Sequence, residues 1–213
     1  MTEVEWLTGT DPTSMLEFLQ GKASDRKLRL FACACCRRIW RYLSDPRSKE
    51  AIERAEEFAD GILTAVELQV MWDAAWEATH HLHDAAFHAS RAAAWATQAS
   101  AGFASSESAD AAIAATVCDP YDPEEDHLYQ ASSLGCIFSN PFRPITLDPS
   151  WLTSTVLTLA QGIYAERAFD RLPILADALQ DAGCENPDVL DHCRGPGPHV
   201  RGCWVVDMLT NRD

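Results

Sequence analysis

The segment from Cys184 to Cys203 carries the residue types that bind soft and borderline metal ions. Its twenty residues include three cysteines, Cys184, Cys193 and Cys203, and two histidines, His192 and His199. Thiolate and imidazole are the usual protein ligands of zinc, which takes four of them at the corners of a tetrahedron. Four of these five side chains could therefore form a structural zinc site, which would fix the angles between short helices.

The same segment also fits an interpretation without metal. It contains no Cys-x-x-Cys pair, and the neighbours His192 and Cys193 would point about 100° apart on a helix. In favour of the zinc site, His199 and Cys203 would share one face of a helix that begins near Pro198. The alternative is a set of buried thiols with a histidine that caps a turn. The sequence favours this alternative over the zinc site.

A second group of polar residues lies between Glu77 and His88. Glu77, His80, Asp84 and His88 follow one another at helical spacing, so a continuous helix would place them on one face. Carboxylate and imidazole groups in this arrangement could hold a catalytic metal ion, which would make the protein a metal-dependent enzyme. The sequence favours the simpler interpretation, the polar face of an amphipathic helix.

Cysteine chemistry is a third hypothesis. Cys33, Cys35 and Cys36 precede Arg37 and Arg38, and nearby cations lower the pKa of a thiol. A catalytic cysteine also needs a base that a third group holds in place, and no such arrangement can be identified from the sequence. We expect these residues to be buried thiols that act as small apolar side chains in a reducing cytosol.

The charge of the chain restricts its partners. The formal net charge is −15, and residues 61–140 hold eleven acidic side chains against one basic residue, Arg91, a net of −10. Such a surface repels phosphate backbones, so we do not expect nucleic-acid binding. No apolar run is long enough to span a membrane, and the polar N-terminal sequence is typical of neither a secretory signal nor a transit peptide. We therefore expect a cytoplasmic protein without membrane association.

Helix signals dominate the sequence, and no alternating strand pattern is present. Asp11-Pro12 and Asp45-Pro46 each combine an N-cap residue with a proline at the first helical position. The alanine-rich stretch 64–101 predicts one long helix, or two helices with a break beyond His88, and residues 100–108 predict a loop. The fold class is therefore all-α, a multi-helix bundle followed by a C-terminal array of short helices.

The proline-rich segment 139–150 suggests how the chain is divided. It contains three prolines and no helical period, so we expect it to be extended. It would join an N-terminal helical bundle, residues 1–138, to a C-terminal subdomain of short helices, residues 151–213. Alternatively, both parts belong to one continuous domain.

Four segments carry a family resemblance: SDRKLRLFACACCRRIW, NPFRPITLDPSWLTSTV, FDRLPILADALQDAGC and HCRGPGPHVRGCWVVD. With these segments the chain resembles a large paralogous family of uncharacterised proteins from planctomycete bacteria of the Gemmata type. The resemblance covers nearly the full length and implies a bacterial cytosolic protein. It implies no activity and no site residue.

These observations favour a non-enzymatic helical interaction or scaffold module that binds another protein. The alternative is a zinc-binding protein with its site in the C-terminal tail. A second alternative is a metal-dependent enzyme that uses the face from His80 to His88. The sequence leaves the partner, the oligomeric state and the cofactor open, with zinc as the candidate metal.

Overall fold

The computed structural model describes residues 1–117 and 123–212 and confirms the all-α fold class. No strand occurs in these residues. None of their helices combines the length and the apolar character that crossing a membrane requires. The α-helices are α1 (Glu3–Thr8), α2 (Pro12–Leu19), α3 (Asp25–Arg38), α4 (Pro46–Ala59), α5 (Ala65–Thr79), α6 (Asp84–Ala96), α7 (Ala101–Val117), α8 (Pro123–Phe138), α9 (Ser154–Glu166), α10 (Leu172–Asp181), α11 (Pro187–Arg194) and α12 (Trp204–Thr210).

Local capping explains where several helices begin. The Asp11 side chain accepts hydrogen bonds from two backbone N–H groups at the start of α2, and the Asp45 side chain accepts one at the start of α4. In both helices a proline follows at a position where its missing N–H costs nothing. These two predicted helix starts are confirmed. The same Asp–Pro pattern occurs in the sequence at Asp122-Pro123, where Asp122 lies outside the described residues.

The predictions for the alanine-rich stretch were wrong in two places. The break comes before His88: α5 ends at Thr79, and α6 begins at Asp84, whose φ is +50°. The reversal places the rings of Trp72 and Trp76 against Trp95, with ring centroids 5.1 and 5.9 Å apart, so tertiary packing ends the helix.

Residues 100–108 are not a loop, because α7 runs through them. Serine is a poor helix former when its hydroxyl competes for the backbone, but here the hydroxyls find acceptors in the fold. The Ser105 hydroxyl donates to the Gly102 carbonyl at 2.8 Å, and the Ser108 hydroxyl donates to the Ala92 carbonyl at 2.9 Å.

The chain forms two compact units. Unit 1 comprises Met1 and Thr8–Ala131, and unit 2 comprises Thr2–Leu7 and Ser132–Asp213. The boundary therefore lies inside α8, rather than in the expected joint 139–150, which belongs to unit 2. Residues 139–148 are without helix or strand, as expected.

Unit 1 is held together by closely packed alanines. Ala51, Ala75 and Ala94 are fully buried and form a cluster against Trp72. Small side chains allow helix backbones to approach closely, so the interfaces of α3, α4, α6 and α7 need few bulky residues. One large polar side chain, Arg29, is buried among these helices.

The Arg29 guanidinium supplies hydrogen-bond donors to the backbone carbonyls at and just beyond the end of α6. It donates hydrogen bonds to the carbonyls of Ala96 and Gln98, both at 2.8 Å, and of Ala99 at 3.1 Å. The last carbonyls of a helix have no partner within the helix, so a buried helix end needs such a donor. The buried charge of Arg29 is thus spread over three carbonyl oxygens.

Unit 2 joins the first residues of the chain to its last third. The Trp6 indole N–H donates to the Ser139 carbonyl at 2.8 Å, and the Asn140 amide donates to Glu3 at 2.7 Å. Arg143 forms an ion pair with Glu3 at 2.6 Å. The remaining helices, α9 to α12, become progressively shorter, from 13 residues in α9 to 7 in α12.

Candidate metal centre

Four side chains of unit 2 bring metal-binding atoms together. They are Cys136, His192, His199 and Cys203, and one ligand atom from each lies within 4.8 Å of the others. Cys136 comes from α8, His192 from α11, and the other two from the loop between α11 and α12. The group therefore connects three separate parts of unit 2.

Helix α11 positions His192 on the side facing the loop. Asn186 caps the helix by accepting hydrogen bonds from two backbone N–H groups, and Pro187 follows. The His192 Nε2 atom lies 3.3 Å from the Cys203 Sγ atom. The other side of the imidazole packs against the Trp204 ring, with 5.3 Å between centroids. This packing fixes the ring with one nitrogen directed at the thiol.

The loop of residues 195–203 positions His199 by a sharp turn. Gly197 has φ +81°, a backbone conformation that other residues rarely adopt. In addition, a Cβ atom there would lie only 2.9 Å from the backbone nitrogen of His199, so both the conformation and the space require glycine. The His199 Nε2 atom lies 3.3 Å from the Gly195 carbonyl oxygen, while Nδ1 lies 3.9 Å from the Cys136 sulfur. A carbonyl on Nε2 holds the tautomer with a proton there, which leaves the Nδ1 lone pair directed at the site.

The predicted helix from Pro198 is wrong, because α12 begins only at Trp204. His199 and Cys203 meet through the curvature of the loop instead of through one helical face. Gly202, with φ +92°, turns the backbone directly before α12, and a continuous helix from Pro198 could not contain this conformation.

The electrostatics of the group favour a negative charge on Cys203, which is fully buried. Burial by itself raises the pKa of this thiol, but its polar contacts with Cys136, His192 and His199 lower the pKa well below its ordinary value. In turn, the hydrogen bond to Cys203 and burial raise the pKa of Cys136. For His199, burial lowers the pKa, yet its contacts with Cys203 and Gly195 raise it overall. Because zinc binds thiolates and neutral imidazoles, a cysteine whose pKa is lowered is a suitable ligand once the neighbouring groups have released their protons.

The spacing of the group fits tetrahedral zinc. Zinc–sulfur bonds of about 2.3 Å and zinc–nitrogen bonds of about 2.0–2.1 Å imply separations of about 3.3–3.8 Å between ligand atoms. Two of the four sulfur–nitrogen distances, 3.3 and 3.9 Å, lie near that range, and the whole group, within 4.8 Å, would contract around an ion. Two cysteines and two histidines are also one of the ligand sets of structural zinc sites.

Three of the five residues singled out in the tail belong to this group: His192, His199 and Cys203. Cys184 and Cys193 do not. Both are buried, and burial raises the pKa of each thiol, as expected for protonated thiols in a core. The sequence analysis missed Cys136, because no motif near it resembles a metal-binding pattern.

The second group of candidate ligands does not share one helical face. The chain leaves the helix after Thr79 and re-enters it at Asp84, so Glu77 and His80 are separated from Asp84 and His88 by the break. Glu77 and His80 lie 3.5 Å apart, and both are exposed. Within the described residues these four do not form a cluster of metal-binding atoms.

The thiols of α3 are poor candidates for nucleophiles. Cys33, Cys35 and Cys36 are all buried, and burial raises the pKa of each well above its ordinary value. Only the thiolate is nucleophilic, so these residues pack as small apolar side chains. All seven cysteines in the described residues are free, and Cys118 lies outside them.

No protein-family model, no curated protein and no solved structure matches the chain. The resemblance to the planctomycete family therefore stays a prediction.

Proposed function

We propose that the protein is a non-catalytic helical module whose unit 2 is held together by one structural zinc ion, bound by Cys136, His192, His199 and Cys203. The observation that supports this most is the convergence of the four ligand atoms within 4.8 Å. Residues of three separate segments supply them, so chance proximity along one helix does not account for the cluster.

The composition of the site supports a structural role rather than a catalytic one. A catalytic zinc keeps one position open for water or substrate, whereas four protein ligands fill the tetrahedron. The two sulfur atoms are buried, and the two imidazoles are partly buried. With four protein ligands, no coordination position is left for a substrate, so we assign no reaction to this site.

The short helices explain what the metal would contribute. Helices α11 and α12 have 8 and 7 residues, and helices of this length are unstable on their own. Because the unfolded chain has no preformed site, the free energy of zinc binding adds directly to that of folding. The zinc would thus fix α8, α11 and the loop before α12 at one point.

Cobalt substitution tests the proposal. We expect about one zinc per chain in protein purified without a histidine tag or chelator. Replacement of zinc by Co²⁺ should give the visible absorption bands of tetrahedral coordination, together with a thiolate-to-metal band in the near ultraviolet. Cys136→Ser should abolish stoichiometric binding, because the serine hydroxyl is a poor zinc ligand.

Cys193→Ser is the matched control. Cys193 is also a buried thiol of unit 2, but its sulfur is outside the group of four. This variant should keep its metal and its cobalt spectrum. Failure of the refolded wild-type protein to bind zinc, or equal metal loss in both variants, would refute the site. The cluster would then be a hydrogen-bonded Cys–His core.

The proposal extends to location and partner. Free cysteines fit a reducing compartment such as the bacterial cytosol, where disulfides are rare. A net charge of −15 makes a protein partner more suitable than a nucleic acid. Because the site offers no open coordination position, we attribute the biological role to binding surfaces rather than to chemistry.

A further inference from the structure

Helix α5 and the turn before it expose large apolar side chains to solvent. Val66 is 75% exposed and Val70 is 54% exposed, and the two lie one helical turn apart on the same face. Ile62, in the turn that precedes the helix, is 67% exposed. Single exposed apolar residues are ordinary, whereas a row of them often marks an interaction surface.

These valines also weaken the helix that carries them. Valine is a poorer helix former than alanine by about 0.5 kcal/mol, since its branched side chain loses rotamer freedom. Alanine is the commonest residue in this part of the chain. The two valines therefore contribute neither to the core nor to helix stability, which leaves a contact outside the chain as their physical use.

The same helix is acidic along its exposed side. It contains Glu67, Asp73 and Glu77 and no lysine or arginine. At 100° per residue, positions 66, 70, 73 and 77 fall within one face about 60° wide. This α5 face is thus apolar in its first half and acidic in its second half.

The two arginines of the neighbouring helix α4 already have acidic partners, and Lys49 lies over the Trp40 ring. Arg47 contacts Asp45 at 2.8 Å, and Arg54 contacts Glu57 at 2.8 Å. They do not neutralise the carboxylates of the α5 face by direct ion pairs in the described residues. A bound partner would therefore meet an uncompensated negative charge at Asp73.

We propose that the α5 face (Val66, Val70, Asp73 and Glu77) binds a basic amphipathic helix of a partner protein. The apolar residues of that helix would cover the two valines, and its lysines or arginines would lie against the two carboxylates. A second copy of this chain fits poorly, because it would bring a further charge of −15 to an acidic face. This inference deepens the proposed binding role but does not depend on zinc.

A model peptide provides the test. The probe is a fluorescein-labelled peptide of about 18 residues, five helical turns, with leucines on one face and lysines on the other. The comparison peptide has the same composition, with its leucines spread around the helix. Fluorescence anisotropy should show binding of the amphipathic peptide at least about tenfold tighter than of the comparison peptide.

Two double variants separate the apolar and the charged contributions. Val66→Ser with Val70→Ser should weaken binding about tenfold or more, since the anchors are lost. Asp73→Asn with Glu77→Gln should weaken binding several-fold at about 50 mM salt and little at about 200 mM salt, where charges are screened. All four positions are exposed, so the helical circular dichroism and the zinc content should remain those of the wild type.

Phe103→Ser is the control, because Phe103 is 63% exposed on α7, outside the α5 face. It should not change peptide binding. Equal binding of both peptides, no binding up to about 1 mM, or unchanged binding by the valine variant would overturn the inference. Self-association that the valine variant abolishes would overturn it in favour of a second copy. The zinc content of the same samples is measured as well, so that a failure of peptide binding can be distinguished from a failure of the proposed metal site.

Discussion

Unit 1 and unit 2 bury different kinds of residues between their helices. Alanine is the commonest buried residue of unit 1, whereas in unit 2 only Ala160 and Ala176 are buried alanines. Unit 2 instead buries leucine, valine and tryptophan, together with the two cysteines of the candidate zinc site. Long helices with small side chains stabilise each other along their whole length, while short helices need a contact that fixes their ends.

The largest expected difference between the two units is their response to a metal chelator. If unit 2 holds the proposed zinc, its removal should abolish the hydrogen-exchange protection of α11 and α12, while α3, α4, α6 and α7 keep theirs. Structural zinc contributes about 10–16 kcal/mol in small zinc-binding peptides, more than the stability of a typical domain. Restored zinc should restore protection. The same protection pattern before and after complete metal removal would contradict the expected dependence of unit 2 on the ion.

Arg29→Met should have the largest effect of a single substitution on unit 1. It leaves the buried Ala96 carbonyl without a donor and removes the bonds to the less buried carbonyls of Gln98 and Ala99, so we expect a loss of about 2–4 kcal/mol in the free energy of unfolding. Urea denaturation followed by circular dichroism measures it. The control is Arg54→Met, which removes only an exposed ion pair and should change the free energy of unfolding little. Similar losses in both variants would mean that the buried network does not stabilise the helix end.

Ala75→Leu tests the close packing of unit 1. Ala75 is fully buried against Ala51, Ala94 and Trp72, so a larger side chain must displace its neighbours at a cost of about 1–3 kcal/mol. The exposed Ala65 of the same helix is the control, and Ala65→Leu should be nearly neutral. The unfolding midpoints in urea give both values. If Ala75→Leu leaves the free energy of unfolding unchanged, the interface has space for a larger side chain and is not closely packed.

Asp45→Ala should have the smallest effect, a loss of about 1 kcal/mol through the missing N-cap of α4. Hydrogen bonds from Arg47 hold the pKa of Asp45 below its ordinary value, although burial opposes them. A lowered folded-state pKa means that this carboxylate stabilises the fold above its ordinary pKa of 3.8 and ceases to do so as the pH falls through the lowered pKa. The difference between wild type and variant should therefore shrink in acid. Thermal unfolding at neutral and acidic pH measures this difference in stability. Asp45→Asn is the control, because the asparagine keeps an acceptor oxygen for the N-cap but has no carboxylate to titrate.

The features that local sequence determines could be predicted. The starts of α2, α4 and α11 follow from an Asp or Asn followed by proline, because the cap and the proline act on neighbouring backbone groups. The division of the alanine-rich stretch could not be predicted. The helix ends after Thr79 because three tryptophans pack across the reversal, and such packing leaves no signal in the sequence around His80.

The candidate site was predictable only in part, for the same reason. His192, His199 and Cys203 lie within twelve residues, and their types indicate metal binding. Cys136 joins His199 across 63 residues of sequence. Only the packing of α8 beside the loop brings the fourth ligand in, so no spacing rule would have found it.

The separation of Cys136 from its partners also bears on the order of events during synthesis. Chains grow at about 5–20 residues per second, so roughly 3–13 seconds pass between the synthesis of Cys136 and that of Cys203. Residues 8–131 of unit 1 are therefore synthesised in full before this interval begins. Trp6, which bonds Ser139 across 133 residues, must wait for its partner. The segment that carries Trp6 is thus synthesised before unit 1, but it reaches its final place only after Ser139 has been made.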